Sequence, residues 1–272
     1  MKQTLKPLTI PLFVPGHRAE LLPKAAASGA DAVIMDFEDA VAEADKPAAH
    51  AALAALPDLP VPLVVRTNAF DSGWFAKDLD MLAKYRPSMV MLPKAESADH
   101  IDHVARVLGA DMPVVPIIES AAGLAALGAM LRHDSVLQCA FGHLDFALDM
   151  GASPEWENLY YPRGRLVVES RLAGKAAPLD GVTVRFDDAE IVGAEARRAR
   201  DMGFGGKLLI HPKQIAPSKA VFRPSREDYD WARRVMAAVA QSSSAVQLDG
   251  TMVDVPVIKR AERIISDFET LD

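Results

Sequence analysis

Polar residues recur in this chain directly after short apolar runs, and several are of types that do chemistry. Asp36-Phe37-Glu38-Asp39 follows one run and Arg66-Thr67-Asn68 the next, then Pro93-Lys94, Glu119-Ser120, Gly142-His143-Leu144-Asp145 and His211-Pro212. Glu119 and Asp145 close consecutive runs, so their carboxylates converge if those runs are neighbouring strands. Two carboxylates completed by water, with no cysteine and no matching histidine pair, suit a hard divalent ion, Mg²⁺ or Mn²⁺, with positions open for a chelating substrate. The spacing equally allows Glu119 to cap the next helix and Asp145 to pair with a surface arginine. Arg66 offers a bidentate clamp for a carboxylate or a polarised carbonyl oxygen. An internal ion pair with Glu38 or Asp39 is the compatible alternative, one carboxylate orienting the guanidinium while the other faces water around a metal. Asp36 reads as a strand-end residue held by backbone donors.

Other candidates carry less chemistry. His17, His143 and His211 fall at strand ends, where a histidine is about as often a structural hydrogen-bond partner as an acid or base. His50, His100, His103 and His133 lie on helical stretches and read as solvated. Cys139 sits inside an apolar run, where a thiol acts as a small hydrophobe. At Gly142 the missing side chain would let a ligand approach the metal closely.

The elements that must position these residues alternate eight times between short apolar runs and longer amphipathic stretches. The runs are residues 8–14, 32–36, 63–67, 89–92, 114–118, 136–141, a weak one at 181–184, and 207–210. Rich in Val, Ile, Leu and Met without polar alternation, they read as parallel strands buried on both faces. Between them, helices are expected over 18–28, 45–56, 74–85, 99–108, 122–132, 159–173 and 187–202. Asp45 and Asp187 are placed to cap helix starts, and Gly29, Gly109, Gly174 and Gly203 follow helix ends. Eight βα units make an α/β fold, a (β/α)₈ TIM barrel, over residues 1–222, with catalytic groups at the carboxyl ends of the strands. Neither GxGxxG nor GxxxxGK[ST] is present, against a nucleotide-binding open sheet. Residues 223–272 form a C-terminal helical extension: a helix over 225–242, a joint at Gln241-Ser242-Ser243-Ser244, a turn at Asp249-Gly250 and a final amphipathic helix. A segment following a finished barrel packs on its outside or on a neighbouring subunit.

The chain has 272 residues, with 30 Lys+Arg against 37 Asp+Glu, a formal charge of −7. The acidic balance argues against nucleic acid or an anionic membrane as partner, and no run approaches the roughly 20 apolar residues of a membrane span. One cysteine excludes an internal disulfide and a multi-cysteine zinc site and suits a reducing, cytoplasmic compartment. Lys2 and Lys6 precede the first run, but it is short, is broken by Pro11 and ends at Pro15-Gly16, so it reads as a strand rather than a signal peptide.

Eight stretches in order carry a resemblance. They are Leu12-Phe13-Val14-Pro15-Gly16, Ser28-Gly29-Ala30-Asp31-Ala32-Val33, Asp36-Phe37-Glu38-Asp39-Ala40-Val41, Val65-Arg66-Thr67-Asn68, Leu92-Pro93-Lys94, Ile118-Glu119-Ser120-Ala121, Gly142-His143-Leu144-Asp145 and Gly206-Lys207-Leu208-Leu209-Ile210-His211-Pro212-Lys213-Gln214. Through them the chain resembles the citrate lyase β-subunit-like branch of the HpcH/HpaI aldolase superfamily, which includes malyl-CoA and citramalyl-CoA lyases.

The resemblance implies a metal-dependent (β/α)₈ barrel assembled as trimers or hexamers. It implies cleavage or formation of a 3-hydroxyacyl-CoA, such as malyl-, citramalyl- or citryl-CoA, with an acyl-CoA and a 2-oxo acid as the other partners. Matched positions put the Mg²⁺ ligands at Glu119 and Asp145 and the substrate arginine at Arg66, with Glu38, Asp39 and Gly142 beside the substrate. Met252-Val253-Asp254-Val255-Pro256 looks like the motif by which a neighbouring subunit delivers a catalytic aspartate, making Asp254 the acid/base. The family's usual Arg-Ser at the start of strand 1 is Thr9-Ile10 here, which removes a cationic contact expected at the barrel top. A CoA-independent 2-oxo acid aldolase using His17 or His143, and a non-catalytic acyl-CoA-binding or complex subunit, are the alternatives.

Overall fold

A computed structural model describes residues 6–240, 246–248 and 251–271. The chain divides into two compact units, Met1–Ser218 and Lys219–Asp272. In the first, the strands are β1 (Leu12–Pro15), β2 (Val33–Asp36), β3 (Leu63–Arg66), β4 (Met89–Leu92), β5 (Val114–Ile118), β6 (Ala140–Phe141), β7 (Leu179–Asp180) and β8 (Gly206–Lys207). Its helices are α1 (Leu22–Ala26), α2 (Lys46–Ala54), α3 (Phe75–Lys84), α4 (Ala98–Leu108), α5 (Ala121–Leu131), α6 (His143–Asp149), α7 (Tyr160–Leu172) and α8 (Ala189–Met202). α9 (Ile215–Phe222) spans the division between the units.

The eight strands form one parallel sheet in sequential order. Backbone bonds then join the segment around β8 to that around β1: Lys207 N donates to Thr9 O and Phe13 N to Leu209 O, both at 2.8 Å. Alternate strand residues, among them Ile34, Val64, Met89, Met91, Val115 and Ile117, gather in one buried cluster. Because the strands run parallel and in register, their carboxyl ends, Asp36 opposite Pro15 and Arg66 opposite Asp36, share one edge.

Several sequence expectations shift. β7 lies at Leu179–Asp180 rather than 181–184, because Asp180, a charged residue just outside the apolar run, is completely buried between two cations. β6 is only two residues long; before it Gln138 turns its side chain to the backbone of Leu8, accepting from N at 2.6 Å and donating to O at 3.2 Å. Asp45 stands at the start of α2 without a capping side-chain bond, and Asp188, not Asp187, caps α8 through the N–H groups of Glu190 and Ile191. Gly203 ends α8 in the left-handed region at φ 104°, a conformation open to a residue without Cβ.

The second unit contains α10 (Arg226–Ala240), the antiparallel pair β9 (Val246–Leu248) and β10 (Thr251–Val253), and α11 (Val255–Leu271). Ala232, Val235, Ala261 and Ile264 form its own buried cluster. The expected joint at 241–244 and turn at Asp249-Gly250 lie outside the described residues. Among the described residues, no helix is long and apolar enough to cross a membrane.

Candidate functional site

The carboxyl ends of β2 and β3 hold an ion-paired platform. Asp36 takes Arg66 bidentately, Nε to Oδ1 and Nη2 to Oδ2, both at 2.7 Å. The expectation of backbone donors for Asp36 holds, since the N–H groups of Glu38 and Ala40 bond its carboxylate at 3.0 and 3.1 Å. What the sequence missed is that Asp36, rather than Glu38 or Asp39, is the main partner of Arg66. The third guanidinium nitrogen, Nη1, lies 3.1 Å from Glu38 Oε2 and 3.7 Å from Asp39 Oδ2. Burial works against both charges of the central pair, but their mutual attraction outweighs it: Asp36 is held below the usual carboxylate range and Arg66 above its ordinary value.

Lys94, just past β4, extends the platform. Its Nζ bonds Glu38 Oε1 at 2.5 Å and its backbone N–H donates to Glu119 Oε2 at 3.0 Å. Among the described residues Lys94 is the one non-glycine with positive φ, 47°, and such backbone strain concentrates where a site must be shaped. Glu119, at the end of β5, is 5% exposed. Burial, followed by the charges of Glu38 and Asp145, pushes its carboxyl up to about 8 against the pull of Arg66 and Lys94. The helix cap expected as its alternative role belongs to Ser120, which accepts from Gly123 N.

Gly142, between β6 and α6, has a reason the sequence did not give. A Cβ there would stand 2.3 Å from Glu119 Cγ and 2.6 Å from its Oε1, so the space the missing side chain leaves is occupied by Glu119 itself. Asp145 sits in the first turn of α6 and with Arg66, Asp36, Asp39, Glu119 and His143 lines a cavity of about 200 Å³. The five candidates Glu38, Asp39, Arg66, Glu119 and Asp145 therefore meet at one edge. Asp36, Glu38, Asp39, Glu119 and Asp145 face two fixed cations there, Arg66 and Lys94, an excess of negative charge that a hard cation would offset. Among the described residues no group of three or more His, Cys, Asp and Glu forms an all-protein metal cage. Two carboxylate donors with the remaining positions left to water and substrate is the habit of Mg²⁺ rather than of zinc.

Behind the platform lies a support that sequence reasoning missed. Lys46, buried at the start of α2, donates to Phe37 O at 2.8 Å, Glu38 O at 3.3 Å and Asn68 Oδ1 at 2.5 Å. Asn68 donates to Asp78 Oδ2 through N at 2.6 Å and Nδ2 at 2.8 Å, and Asp78 Oδ1 meets His50 Nε2 at 2.6 Å. His50 is thus not solvated: it is a partner of fully buried Asp78, edge-on to Phe37 and Trp74. His100 stacks on Phe70 and His133 meets Asp102 at 2.9 Å. A lysine in a helix's first turn runs against the macrodipole, and that was the available signal for Lys46.

The floor beyond Gly142 rests on a second buried set, Asp180 between Arg163 Nε at 2.9 Å and Lys207 Nζ at 3.0 Å. Lys207 also bonds Gly181 O at 2.6 Å. A Cβ on Gly181 would reach within 2.2 Å of His143 Nδ1, and burial pushes the His143 ring down to about 4. His211 stacks on Phe186 and accepts from Lys213 N, a structural role. Thr9 and Ile10 lie before β1, their N–H groups held by the Asp31 carboxylate at 2.5 and 3.0 Å. They precede β1 at the amino end of the strands and are not among the residues that line the cavity. Cys139 is buried, with its thiol pushed up to about 12 by desolvation. Asp254 belongs to the second unit, where it is exposed and its Oδ1 caps α11 through Val257 N at 3.2 Å.

A family model described as HpcH/HpaI aldolase/citrate lyase matches residues 9–212. The chain is similar to a citrate lyase subunit beta-like protein of Mycobacterium tuberculosis, 37% identical over 261 residues and 93% of each chain. It is also similar to a (3S)-malyl-CoA thioesterase of Cereibacter sphaeroides, 31% identical over 100% of this chain and 98% of that one. Among solved structures, protein CitE of M. tuberculosis in complex with magnesium, acetoacetate and coenzyme A superposes with a TM-score of 0.86 at 35% identity, covering 96% of this chain and 98% of that one.

Proposed function

The chain belongs to the HpcH/HpaI aldolase/citrate lyase family, and we propose that it is a magnesium-dependent carbon–carbon lyase of CoA thioesters. Its substrate would be a 3-hydroxyacyl-CoA such as malyl-, citramalyl- or citryl-CoA, cleaved to an acyl-CoA and a 2-oxo acid or formed from them. The observation that carries this reading is the convergence of Glu119 and Asp145 on one cavity beside Arg66, whose guanidinium Asp36 holds in place. CitE, bound to magnesium, acetoacetate and coenzyme A, supports the choice of ion and thioester. We read the sheet as a closed (β/α)₈ barrel, for which the bonds from Lys207 and Phe13 are the support.

Glu119 and Asp145 would hold Mg²⁺, supplying Lewis acidity toward the carboxylate and keto oxygens of the 2-oxo acid. Arg66 presents a fixed positive charge where those oxygens gain negative charge, with no reorganisation needed because Asp36, Glu38 and Asp39 already orient it. Lys94 keeps Glu119 in place through its backbone N–H. Asp254, offered by a neighbouring copy in a trimer or hexamer, takes the proton of the 3-hydroxyl. The carbon–carbon bond then breaks with its electron pair passing to the thioester enolate, whose carbon is protonated in turn. The cap bond to Val257 N fixes the direction of that carboxylate.

The assay incubates the chain with Mg²⁺ and the three thioesters and follows both 2-oxo acid and free thiol. Release of 2-oxo acid supports the lyase; release of thiol alone makes the chain a thioesterase, as the C. sphaeroides relative is named. Asp254→Asn should lower kcat at least about 100-fold with thioester binding retained. Mixed Asp254→Asn and Glu119→Gln chains should regain part of the activity. Full turnover by Asp254→Asn removes it as the base, and no recovery on mixing places the site within one copy.

A further inference from the structure

The cavity beside Arg66 has two unlike sides. One is the charged platform of Asp36, Asp39, Arg66, Glu119 and Asp145; the other is apolar, formed by Phe13, Ile117, Phe141, Val182, Leu208 and Ile210. Ile117, Phe141 and Leu208 are at most 3% exposed, so part of this side is a packed wall, while Phe13 and Val182 are half-buried and Ile210 is exposed. Arg66 is the one lysine or arginine among the lining residues. Three carboxylates already share its charge: Asp36 holds Nε and Nη2, and Nη1 faces Glu38 and Asp39. Lys94 is engaged by Glu38. On the apolar side the one basic group is His143, whose Nδ1 is packed over Gly181.

An anion with a single charged end can set that end at the platform, where a dication and Arg66 meet it. A second carboxylate on the same short molecule would have to lie among the four lining carboxylates or against the apolar wall. Either place is costly: the first by like-charge repulsion, the second by desolvation without a partner. We propose, on the family reading above, that the 2-oxo acid partner carries one carboxylate and a short uncharged chain, the chain resting on Phe13, Val182 and Ile210. Dicarboxylic 2-oxo acids are the disfavoured class.

Isothermal titration calorimetry of the full chain with Mg²⁺ tests this, using pyruvate and 2-oxobutanoate against oxaloacetate and 2-oxoglutarate. The monocarboxylic acids should bind at least tenfold more tightly. Ile210→Arg, at a wall residue 40% exposed, should erase or reverse that preference by giving the second carboxylate a partner, and Val182→Lys is a second variant of the same design. Equal or tighter binding of the dicarboxylic acids overturns the proposal, as does a preference unmoved by both well-folded variants. Binding needs no turnover, which separates the two readings. A chain that shows the preference but cleaves no thioester loses only the lyase; one that cleaves thioesters but prefers dicarboxylic acids loses only this proposal. Failure to bind any of the four acids overturns both.

Discussion

Replacing Gly142 by alanine tests how Glu119 is seated. The new methyl would lie 2.3 Å from Glu119 Cγ and 2.6 Å from its Oε1, where carbon pairs settle at about 3.5–4.0 Å. Glu119 has little room to yield, being 5% exposed and bonded through Oε2 to Lys94 N at 3.0 Å. Relief means turning the carboxylate off Lys94, at the cost of an off-rotamer torsion of about 0.5–1.5 kcal/mol and a charge-assisted bond of about 1.5–3 kcal/mol. A combined cost of about 2–4.5 kcal/mol corresponds to roughly 30- to 2000-fold in an equilibrium constant. On the proposed site, Gly142→Ala should therefore weaken Mg²⁺ binding by at least about 30-fold while the far-UV circular dichroism stays that of the wild type. Calorimetric titration with Mg²⁺ reads this directly, with Glu119→Gln as the reference for loss of the ligand. Wild-type affinity in Gly142→Ala, together with lost affinity in Glu119→Gln, would refute the steric reasoning.

Two further predictions concern what lies behind the site. Asp180→Asn leaves Arg163 buried without its anion and Lys207 with only Glu195, at 3.5 Å, a change that costs about 3–5 kcal/mol, and a loss below about 1 kcal/mol in urea unfolding would contradict it. Lys207 and Arg163 hold Asp180 below the usual carboxylate range despite its burial. Its stabilising effect is thus present above the unfolded value of about 3.9 and is lost as pH falls below it, so the wild type should lose stability more steeply than Asp180→Asn in acid. Lys46→Met keeps the apolar stem but leaves Phe37 O, Glu38 O and Asn68 Oδ1 without their donor; kcat should fall at least tenfold with thioester KM little changed, partly restored in Lys46→Arg. A stability loss with kcat intact would make Lys46 structural only.

What the sequence disclosed followed the range of the interactions involved. β4 and β5 coincide with their apolar runs because β-branched and long aliphatic residues buried on both faces leave a strong local mark. β7 does not, because its decisive residue is a charge. A charge interrupts the apolar pattern, and the two cations that let Asp180 be buried lie 17 and 27 positions away. The same holds for the site. Glu38, Asp39, Arg66, Glu119 and Asp145 were legible as strand-end residues, since parallel neighbours must share an edge. Which carboxylate would hold Arg66 was not, because adjacent acidic residues in Asp36-Phe37-Glu38-Asp39 are distinguished only by the alternation of strand faces and by the turn that follows. The joint role of Lys46, Asn68, Asp78 and His50 was not legible for a related reason: apart from the misplaced charge of Lys46, each is ordinary at its own position and gains its role only across α2, β3 and α3.

The two buried ion-paired sets divide labour in a way their charges explain. Around Asp180 one carboxylate meets two cations at 2.9 and 3.0 Å, and Glu195 lies 3.5 Å from the second of them, Lys207. At the carboxyl ends of β2 to β6 the ratio is inverted, and burial with neighbouring carboxylates pushes Glu119 up to about 8. A fold selected for stability alone would not keep that imbalance, since like charges in low dielectric repel strongly and a buried carboxylate lacking a full set of partners destabilises the folded state. It persists where a ligand completes it, and any ligand bound only by the folded chain returns stability in proportion to its concentration over its dissociation constant. The rigid set under the floor and the strained Lys94 backbone at its edge hold the unsatisfied carboxylates in place until that ligand arrives. The excess negative charge of this edge is thus a property of the site, built against the local stability of the fold and supported by the ion-paired set beneath it.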